Sequence, residues 1–292
     1  MAKSRFQLVG SLLRPADLRE YKIAIEHRDD IKYPFYDAFE GYKETETADI
    51  RKVIAEEKAA GIDVLTDGEY SKSMWHLDFV WGLKGIERYI ADHGYTFQDH
   101  DGGHFETRKD IGIRITEPLS GKNHHFLDIY KLLKEEAGET DTKLTIWGPA
   151  HAYTEFTVFN QLVGEDQVYK TKEELKAGLT NAYKEFLKDQ HYDRFFLEWD
   201  SEVAGDLKAL ESLKDSDAEV VLGLLSSKTT DLDDEERALK MLEEASQILP
   251  KDRLYLSHQC GFASCDSGNE LSIPQQWAKI KQGQDIAAKF WS

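Results

Sequence analysis

The chain has 292 residues, enough for one (β/α) barrel or two smaller domains, and its 40% apolar content can build a sizeable core. Asp and Glu outnumber Lys and Arg by 55 to 37, and the net charge of −18 argues against nucleic acid or an anionic membrane as a partner. Two cysteines, Cys260 and Cys265, cannot build a disulfide framework, and no segment approaches the roughly 20 apolar residues of a membrane span. We therefore expect a cytoplasmic protein.

Short apolar segments alternate with longer amphipathic ones from the N-terminus onward. The predicted strands cover residues 5–11, 62–69, 142–150, 192–200, 219–227 and 253–260. The predicted helices cover residues 47–61, 123–138, 171–190, 235–249 and 274–291. Their apolar residues recur at helical spacing, and the helix from 171 opens with a capping box formed by Thr171 and Glu174. Residues 108–121 are predicted to form an extended excursion from this order.

The regular alternation of strand and helix predicts a parallel α/β fold. The helix that stops at Gly61 passes into the next strand with almost no linker, which is typical of such folds. Residues 219–227, "EVVLGLLSS", are almost continuously apolar, as a strand covered on both faces requires. We expect a single domain over residues 1–292, built as a parallel barrel or a doubly wound sheet.

Polar residues interrupt the apolar pattern where the predicted strands end. The carboxyl ends of the strands carry the catalytic groups of parallel barrels, so we expect a site there. The residues concerned are Gly10, Ser11, Asp67, Gly68, Glu69, Glu198, Asp200, Ser226, Ser227, Lys228, His258, Gln259, Cys260 and Gly261.

Glu198 lies on the predicted inner face of its strand, because alternation in "YDRFFLEWD" places it with Phe196 and Asp200. A buried carboxylate needs a partner, either a cation of the protein or a bound ion. Asp67 and Glu69 share one strand face, and they either bind a substrate ammonium or are paired within the protein. On spacing alone, a structural ion pair is the simpler interpretation of Glu198.

Cys260 is the last residue of the last predicted strand and is followed directly by Gly261. Isolated cysteines are commonly buried as small apolar residues, and a thiolate metal ligand is the alternative. His258 and Cys260 form an H-x-C pair, which is a weak metal signal. His76 in "SMWHLDF" lines a pocket or belongs to the core.

Five segments together resemble one family. They are "VGSLLRPADL", "AGIDVLTDGEYSKSMWHLDFVWGL", "FFLEWDSEVAGDL", "VVLGLLSSKT" and "LSHQCGFAS". These segments are similar to the cobalamin-independent methionine synthases, most closely to the short, single-barrel bacterial members. The resemblance implies a (β/α)₈ barrel with zinc held by His, Cys, Glu and Cys at the carboxyl ends of the strands. Zinc would keep the homocysteine thiol as a thiolate, which takes the methyl group of a methyltetrahydrofolate.

The resemblance also implies roles for individual residues. Cys260 of "QCGF" resembles the last zinc ligand, and Glu198 of "FLEWD" resembles the carboxylate ligand. Gly10 and Ser11 of "VGS" and Glu69 of "DGE" resemble the positions that hold the homocysteine backbone, with the acid taking the ammonium. Asp67 is grouped with Glu69 as a substrate-binding candidate.

The chain departs from the family at one joint. The family's H-x-C motif, which supplies the first two zinc ligands, and the acidic strand before it have no counterpart here. About six of the eight expected strands are present, so about two βα units are predicted to be absent between about residues 188 and 192. Three explanations remain open: a stretch missing from this sequence, an in-frame deletion, or completion of the metal site by His76, His258 or Cys265. We favour a missing stretch, because losing core strands exposes apolar edges.

The leading functional hypothesis is a zinc-dependent methyltransferase that forms methionine from homocysteine, or methylates a similar thiol, with a methyltetrahydrofolate or another small donor. The alternative is a catalytically impaired barrel remnant that binds a thiol amino acid or a partner. Small molecules are the expected substrates, and the sequence leaves open whether the chain forms a homo-oligomer.

Overall fold

The computed structural model describes residues 4–98, 104–187, 194–199, 207–263 and 269–292. The helices are α1 (Ala16–Glu26), α2 (Tyr42–Ala59), α3 (Leu77–Trp81), α4 (Phe126–Ala137), α5 (Pro149–Thr154), α6 (Lys172–Leu187), α7 (Glu235–Ser246) and α8 (Ile273–Phe290). The strands are β1 (Val64–Leu65), β2 (Lys84–Tyr89), β3 (Thr96–Gln98), β4 (His104–Glu106), β5 (Gly112–Ser120), β6 (Asp141–Thr142), β7 (Arg194–Glu198), β8 (Glu219–Leu225) and β9 (Leu254–His258). None of the helices in these ranges has the length and apolar character needed to cross a lipid bilayer.

A three-stranded parallel sheet, in the order β7, β8, β9, forms one side of the core. The central strand, β8, is the most deeply buried, and Val220, Val221, Leu222, Leu224 and Leu225 have no exposed surface. This burial follows from its almost continuously apolar sequence, which leaves both faces to be covered by other elements.

The N-terminal segment connects this sheet to β1. Phe6 forms a parallel bridge with Leu256 of β9, and the amide of Gln7 donates to the Leu256 carbonyl at 2.8 Å. Further along, the amide of Leu12 donates to the carbonyl of Gly68, just beyond β1, at 2.9 Å. Since β1 pairs in parallel with β6, six segments lie side by side in the order β6, β1, N-terminal segment, β9, β8, β7.

A closed barrel is not seen in the described ranges. Their hydrogen-bonded ladders do not join β6 to β7, the two ends of the six-segment arrangement. The ends meet through side chains instead: the ammonium of Lys143, next to β6, lies 4.4 Å from the ring centroid of Phe196 in β7. The fold is therefore mixed α/β with a parallel open arrangement, and the predicted joint at 188–192 lies outside the described residues.

Three predicted strands are much shorter than expected, and the one predicted over 62–69 is reduced to Val64–Leu65. The prediction of a strand over 142–150 is wrong, because pairing is restricted to Asp141–Thr142 and one further bond from the Lys143 amide to the Leu65 carbonyl. Pro149 begins α5 rather than ending a strand, since the fixed φ of proline suits the first helical position. The N-terminal strand over 5–11 is reduced to the bridge at Phe6.

The helix ends follow the predicted local chemistry. The amide of Glu174 bonds to the Thr171 hydroxyl at 3.1 Å, and the Thr171 amide bonds to the Glu174 carboxylate at 3.2 Å, which confirms the capping box of α6. A second capping box, formed by Ser272 and Gln275, begins α8. The excursion at 108–121 contains β5, which pairs antiparallel with β2.

Candidate functional site

The turn after β1 presents Glu69. Gly68 and Glu69 both have positive φ angles, +62° and +56°, and a non-glycine residue needs support in this conformation. Asp67 supplies that support, because its carboxylate accepts the Glu69 amide at 3.0 Å and the Ser71 hydroxyl at 2.6 Å. Burial raises the pKa of Asp67. Both oxygens of Asp67 are thus engaged within the turn that fixes Glu69.

The Glu69 carboxylate is held through one oxygen. Its Oε1 accepts the Thr145 hydroxyl and lies 3.1 Å from the ammonium of Lys72, which also donates to the Thr145 carbonyl at 3.0 Å. No described group bonds Oε2 of Glu69. Gly10 faces this carboxylate, and a Cβ at that position would lie 2.7 Å from Oε1. The site therefore presents a fixed, buried carboxylate with one oxygen left for a ligand.

Ser11 joins the N-terminal segment to the loop after β9. Its carbonyl accepts the Phe262 amide at 2.8 Å, and its hydroxyl accepts the Ala263 amide at 3.2 Å. A Cβ on Gly261 would overlap the Ser11 hydroxyl, so this approach requires glycine. The "VGS" and "QCGFA" segments are consequently in direct contact, although Ser11 and Ala263 are 252 positions apart in the sequence.

Arg14 is a member of the site that the sequence interpretation missed. Its side chain is buried, and its guanidinium donates to the carbonyls of Lys72 at 2.8 Å, Glu69 at 3.1 Å and Ala263 at 3.0 Å. It fixes the turn after β1 against the loop after β9. The available signal was an arginine inside the apolar stretch "SLLRPADL", close to the candidate Ser11.

Glu198 and Cys260 lie at the same end of the sheet. Glu198 is in register with Gly223 of β8, which is in register with Ser257 of β9, and half-buried Cys260 follows three residues later. The side chain of Glu198 lies outside the described part, as do Asp200 and all of Cys265. The backbone is therefore compatible with a shared site for Glu198 and Cys260, and their role as metal ligands stays a prediction.

The described residues do not fit a zinc ion. Protein zinc sites usually combine at least three protein ligands, and nowhere in the described ranges do three His, Cys, Asp or Glu residues form a group that could hold a metal. His258 packs between Phe6 and Phe262, with ring centroids 5.7 and 4.8 Å away, and burial lowers its pKa to about 3. His76 lies among aromatic rings. We accordingly derive no chemical step through zinc.

Solved structures share the fold of this chain. A protein from Listeria monocytogenes named as a proposed vitamin-B12-independent methionine synthase matches with a TM-score of 0.61 and 22% identity, covering 100% of this chain and 99% of the other. A B12-independent methionine synthase from Shewanella sp. W3-18-1, in complex with selenomethionine, matches with a TM-score of 0.64 and 15% identity, covering 99% and 98%. At these identities the likeness establishes the fold alone. No protein-family model matches the chain.

Two proteins of Bacillus subtilis (strain 168) are similar along nearly the whole chain. YxjH is 27% identical over 372 positions, covering 99% of this chain and 95% of its own length. YxjG is 26% identical over 370 positions, covering 98% and 94%. Both are named as uncharacterized. Because the alignments are about 80 positions longer than the 292 residues here, about 80 positions within the aligned part of each relative have no counterpart in this chain.

Proposed function

We propose that this chain docks a thiol amino acid of the homocysteine type at Glu69, as a relative of the methionine-synthase-type methyltransferases. The observation that carries the proposal is the Glu69 carboxylate, which Lys72 and Thr145 fix through Oε1, while no residue in the described ranges bonds Oε2. An α-ammonium at Oε2 would form a charge-assisted hydrogen bond, the stronger kind in a buried setting. The Shewanella structure supports an amino-acid ligand, since that protein holds selenomethionine.

Each candidate residue has a distinct part in this proposal. Glu69 receives the ammonium, and Gly10 leaves the space in front of it. Asp67 holds the turn, and Ser11 positions the loop that carries Cys260. The buried guanidinium of Arg14 holds the turn after β1 and the loop after β9 together. The substrate is a small molecule, and the expected cytoplasmic location stays a prediction.

Calorimetric titration with L-homocysteine and L-methionine tests the docking site. Glu69→Gln should weaken binding of both amino acids by at least about tenfold, because a buried charged hydrogen bond contributes roughly 1.5–3 kcal/mol. Glu117→Gln is the matched control, since this carboxylate is exposed and pairs with Lys84 on the surface. Equal binding by wild type and Glu69→Gln would exclude Glu69 as the ammonium site.

The activity that we propose for proteins of this type is methyl transfer. The methyl group passes from a methyltetrahydrofolate or another small donor to the bound thiol. In this chain we expect weak zinc binding and little turnover, because the family's first two zinc ligands have no counterpart and the alignment with YxjH contains about 80 positions that this chain lacks. The chain would then act as the impaired, amino-acid-binding form of such an enzyme.

Metal analysis of the purified protein tests this expectation. Wild type should carry well under one zinc per chain, and Cys260→Ser should carry less, since the thiolate is the soft ligand. Methionine formation, followed by mass spectrometry, should be close to background in both. Full zinc occupancy in both proteins would remove Cys260 from the site, and rapid turnover by wild type would contradict the impaired form.

A further inference from the structure

A cavity of about 340 Å³ lies at the end of the parallel strands opposite to Glu69. Its wall includes the first residues of three strands, Val64 of β1, Asp141 of β6 and Arg194 of β7. Glu69, in contrast, follows the carboxyl end of β1. Catalytic groups of parallel barrels lie at the carboxyl ends of the strands, so a ligand in this cavity would have a role other than catalysis.

The cavity has the size and the mixed lining of a small-molecule site. Such sites usually have volumes of about 300–1,000 Å³, and this one is near the lower limit. Val64, Tyr130 and Tyr255 form the apolar and aromatic part of its wall. Gln7, which is buried, and Thr142 add polar groups. The cavity can therefore hold a molecule of about the size of an amino acid.

Asp63 gives the wall an acid that no cation in the described ranges neutralises. Its Oδ2 accepts the Ser4 amide at 2.6 Å, whereas its Oδ1 is buried and has no hydrogen-bond partner. The hydroxyl of Thr142, on the neighbouring strand, is also buried without a partner. Buried polar atoms without partners are uncommon in folded proteins and call for a physical reason. A ligand that donates hydrogen bonds would supply one.

Lys134 of α4 gives the same wall a positive charge. It is exposed, and in the part of the chain that the structure describes it pairs neither with Asp63 nor with another carboxylate. The other charged residues of the wall are engaged, since Arg194 pairs with Glu219 at 2.5 Å and Asp141 makes an interaction of its own. The wall thus leaves one acid and one cation for a ligand, which matches a molecule with an ammonium and a carboxylate.

We propose that this cavity is a second amino-acid site, in which Asp63 receives the α-ammonium and Lys134 the α-carboxylate of a free amino acid. An apolar side chain of the ligand would pack against Val64 and Tyr130. The bond to Asp63 contributes most, because a charge-assisted hydrogen bond is strong when it is shielded from water, whereas an exposed lysine contributes little. This site is separate from Glu69 and does not depend on docking there.

Calorimetric titration with L-methionine provides the test. Wild type should bind two equivalents, and Glu69→Gln should keep one of the two sites. Adding Asp63→Asn to Glu69→Gln should weaken the remaining site at least about tenfold, because a bond to a charged group is lost while an acceptor for the Ser4 amide is kept. Adding Lys134→Met should weaken it only about two- to fivefold. Asp128→Asn is the control, since Asp128 is 71% exposed on α4 and does not line the cavity.

N-Acetyl-L-methionine, which has no ammonium, tests the same site without a further substitution. It should bind to Glu69→Gln at least about tenfold more weakly than L-methionine does. Equal binding of the two compounds, or unchanged binding after Asp63→Asn, would overturn the proposal.

The number of sites separates this inference from docking at Glu69. One equivalent bound by wild type and none by Glu69→Gln overturns the second site and leaves docking at Glu69 intact. One equivalent bound by both proteins, and lost on Asp63→Asn, supports the cavity and removes docking at Glu69. Wild type that binds no L-methionine overturns both proposals.

Discussion

Glu57 is a fully buried carboxylate beneath the turn that carries the site. It accepts the Thr66 amide at 2.7 Å and the Thr66 hydroxyl at 2.6 Å, so it helps to hold the chain just before Asp67. Burial nevertheless dominates and raises its pKa from 4.5 to about 8. The folded chain therefore keeps a proton on Glu57 at a pH where the unfolded chain has lost it.

This difference predicts a pH dependence with a definite sign. Between about pH 4.5 and about pH 8, the contribution of Glu57 to the free energy of unfolding falls as pH rises, by at most about 1.4 kcal/mol per pH unit, and it levels off above this window. Glu57→Gln cannot titrate, so its loss of stability between pH 5 and pH 8 should be smaller than that of wild type. Urea unfolding at several pH values measures this, with Glu117→Gln as the exposed control.

Some residues of the candidate site could be recognised from the sequence, and others could not. Glu69 stood out because an acid followed a strand, and the structure fixes it beside Lys72 and Thr145. Arg14 was missed, and the partners that it has in the described part of the chain are backbone carbonyls, whose positions the sequence does not reveal. The roles of Glu198 and Cys260 remain predictions, because their assignment rests on resemblance rather than on described contacts.

At the level of elements, the contact between the N-terminal segment and the loop after β9 depends on one small residue. Gly261→Ala would push a methyl group into the Ser11 hydroxyl, which also accepts the Ala263 amide. We expect a loss of about 1–3 kcal/mol in the free energy of unfolding, the usual range for overpacking, together with weaker amino-acid binding.

Gly148→Ala is the matched control for this substitution. Gly148 has a φ of −68°, and the nearest atom to an added Cβ is a ring nitrogen of His151 at 3.6 Å, an ordinary contact. Chemical denaturation should therefore give nearly wild-type stability for Gly148→Ala. Equal losses in the two variants would mean that crowding at Ser11 is not the cause.

Elements set by local sequence were predictable, and those set by distant pairing were not. The capping box of Thr171 and Glu174 involves residues three apart, so sequence alone was sufficient. The length of the strand at 142–150 depends on a neighbour elsewhere in the chain, and the pairing there is restricted to Asp141–Thr142. Burial of β8 was predictable because every position but Gly223 in Val220–Leu225 is apolar.

On the scale of the whole molecule, two observations are consistent with each other. The alignment with YxjH contains about 80 positions that this chain lacks, and the strands in the described ranges do not close into a barrel. Within the described ranges, β7 pairs with β8 on one side, whereas β8 is paired on both. An unpaired strand edge exposes backbone amides and is less protected than a central strand.

Hydrogen exchange read by mass spectrometry should detect this asymmetry. Amides of β8 are expected to exchange most slowly among the three strands, and those of β7 markedly faster. Protection of Arg194–Glu198 equal to that of Glu219–Leu225 would contradict an open edge, and would mean that another chain or segment covers it. Repeating the measurement over a range of protein concentrations separates a second copy from a segment of the same chain.

The buried guanidinium of Arg14 has a consequence for how the protein matures. The acceptors that the structure describes belong to residues 69, 72 and 263, and the last of these is 249 positions away. A nascent chain cannot complete this arrangement until Ala263 has left the ribosome. Loop closure over so many residues is slow compared with forming a helix. Affinity for the amino acid should thus arise only after residues near 14 and residues near 263 have come into contact.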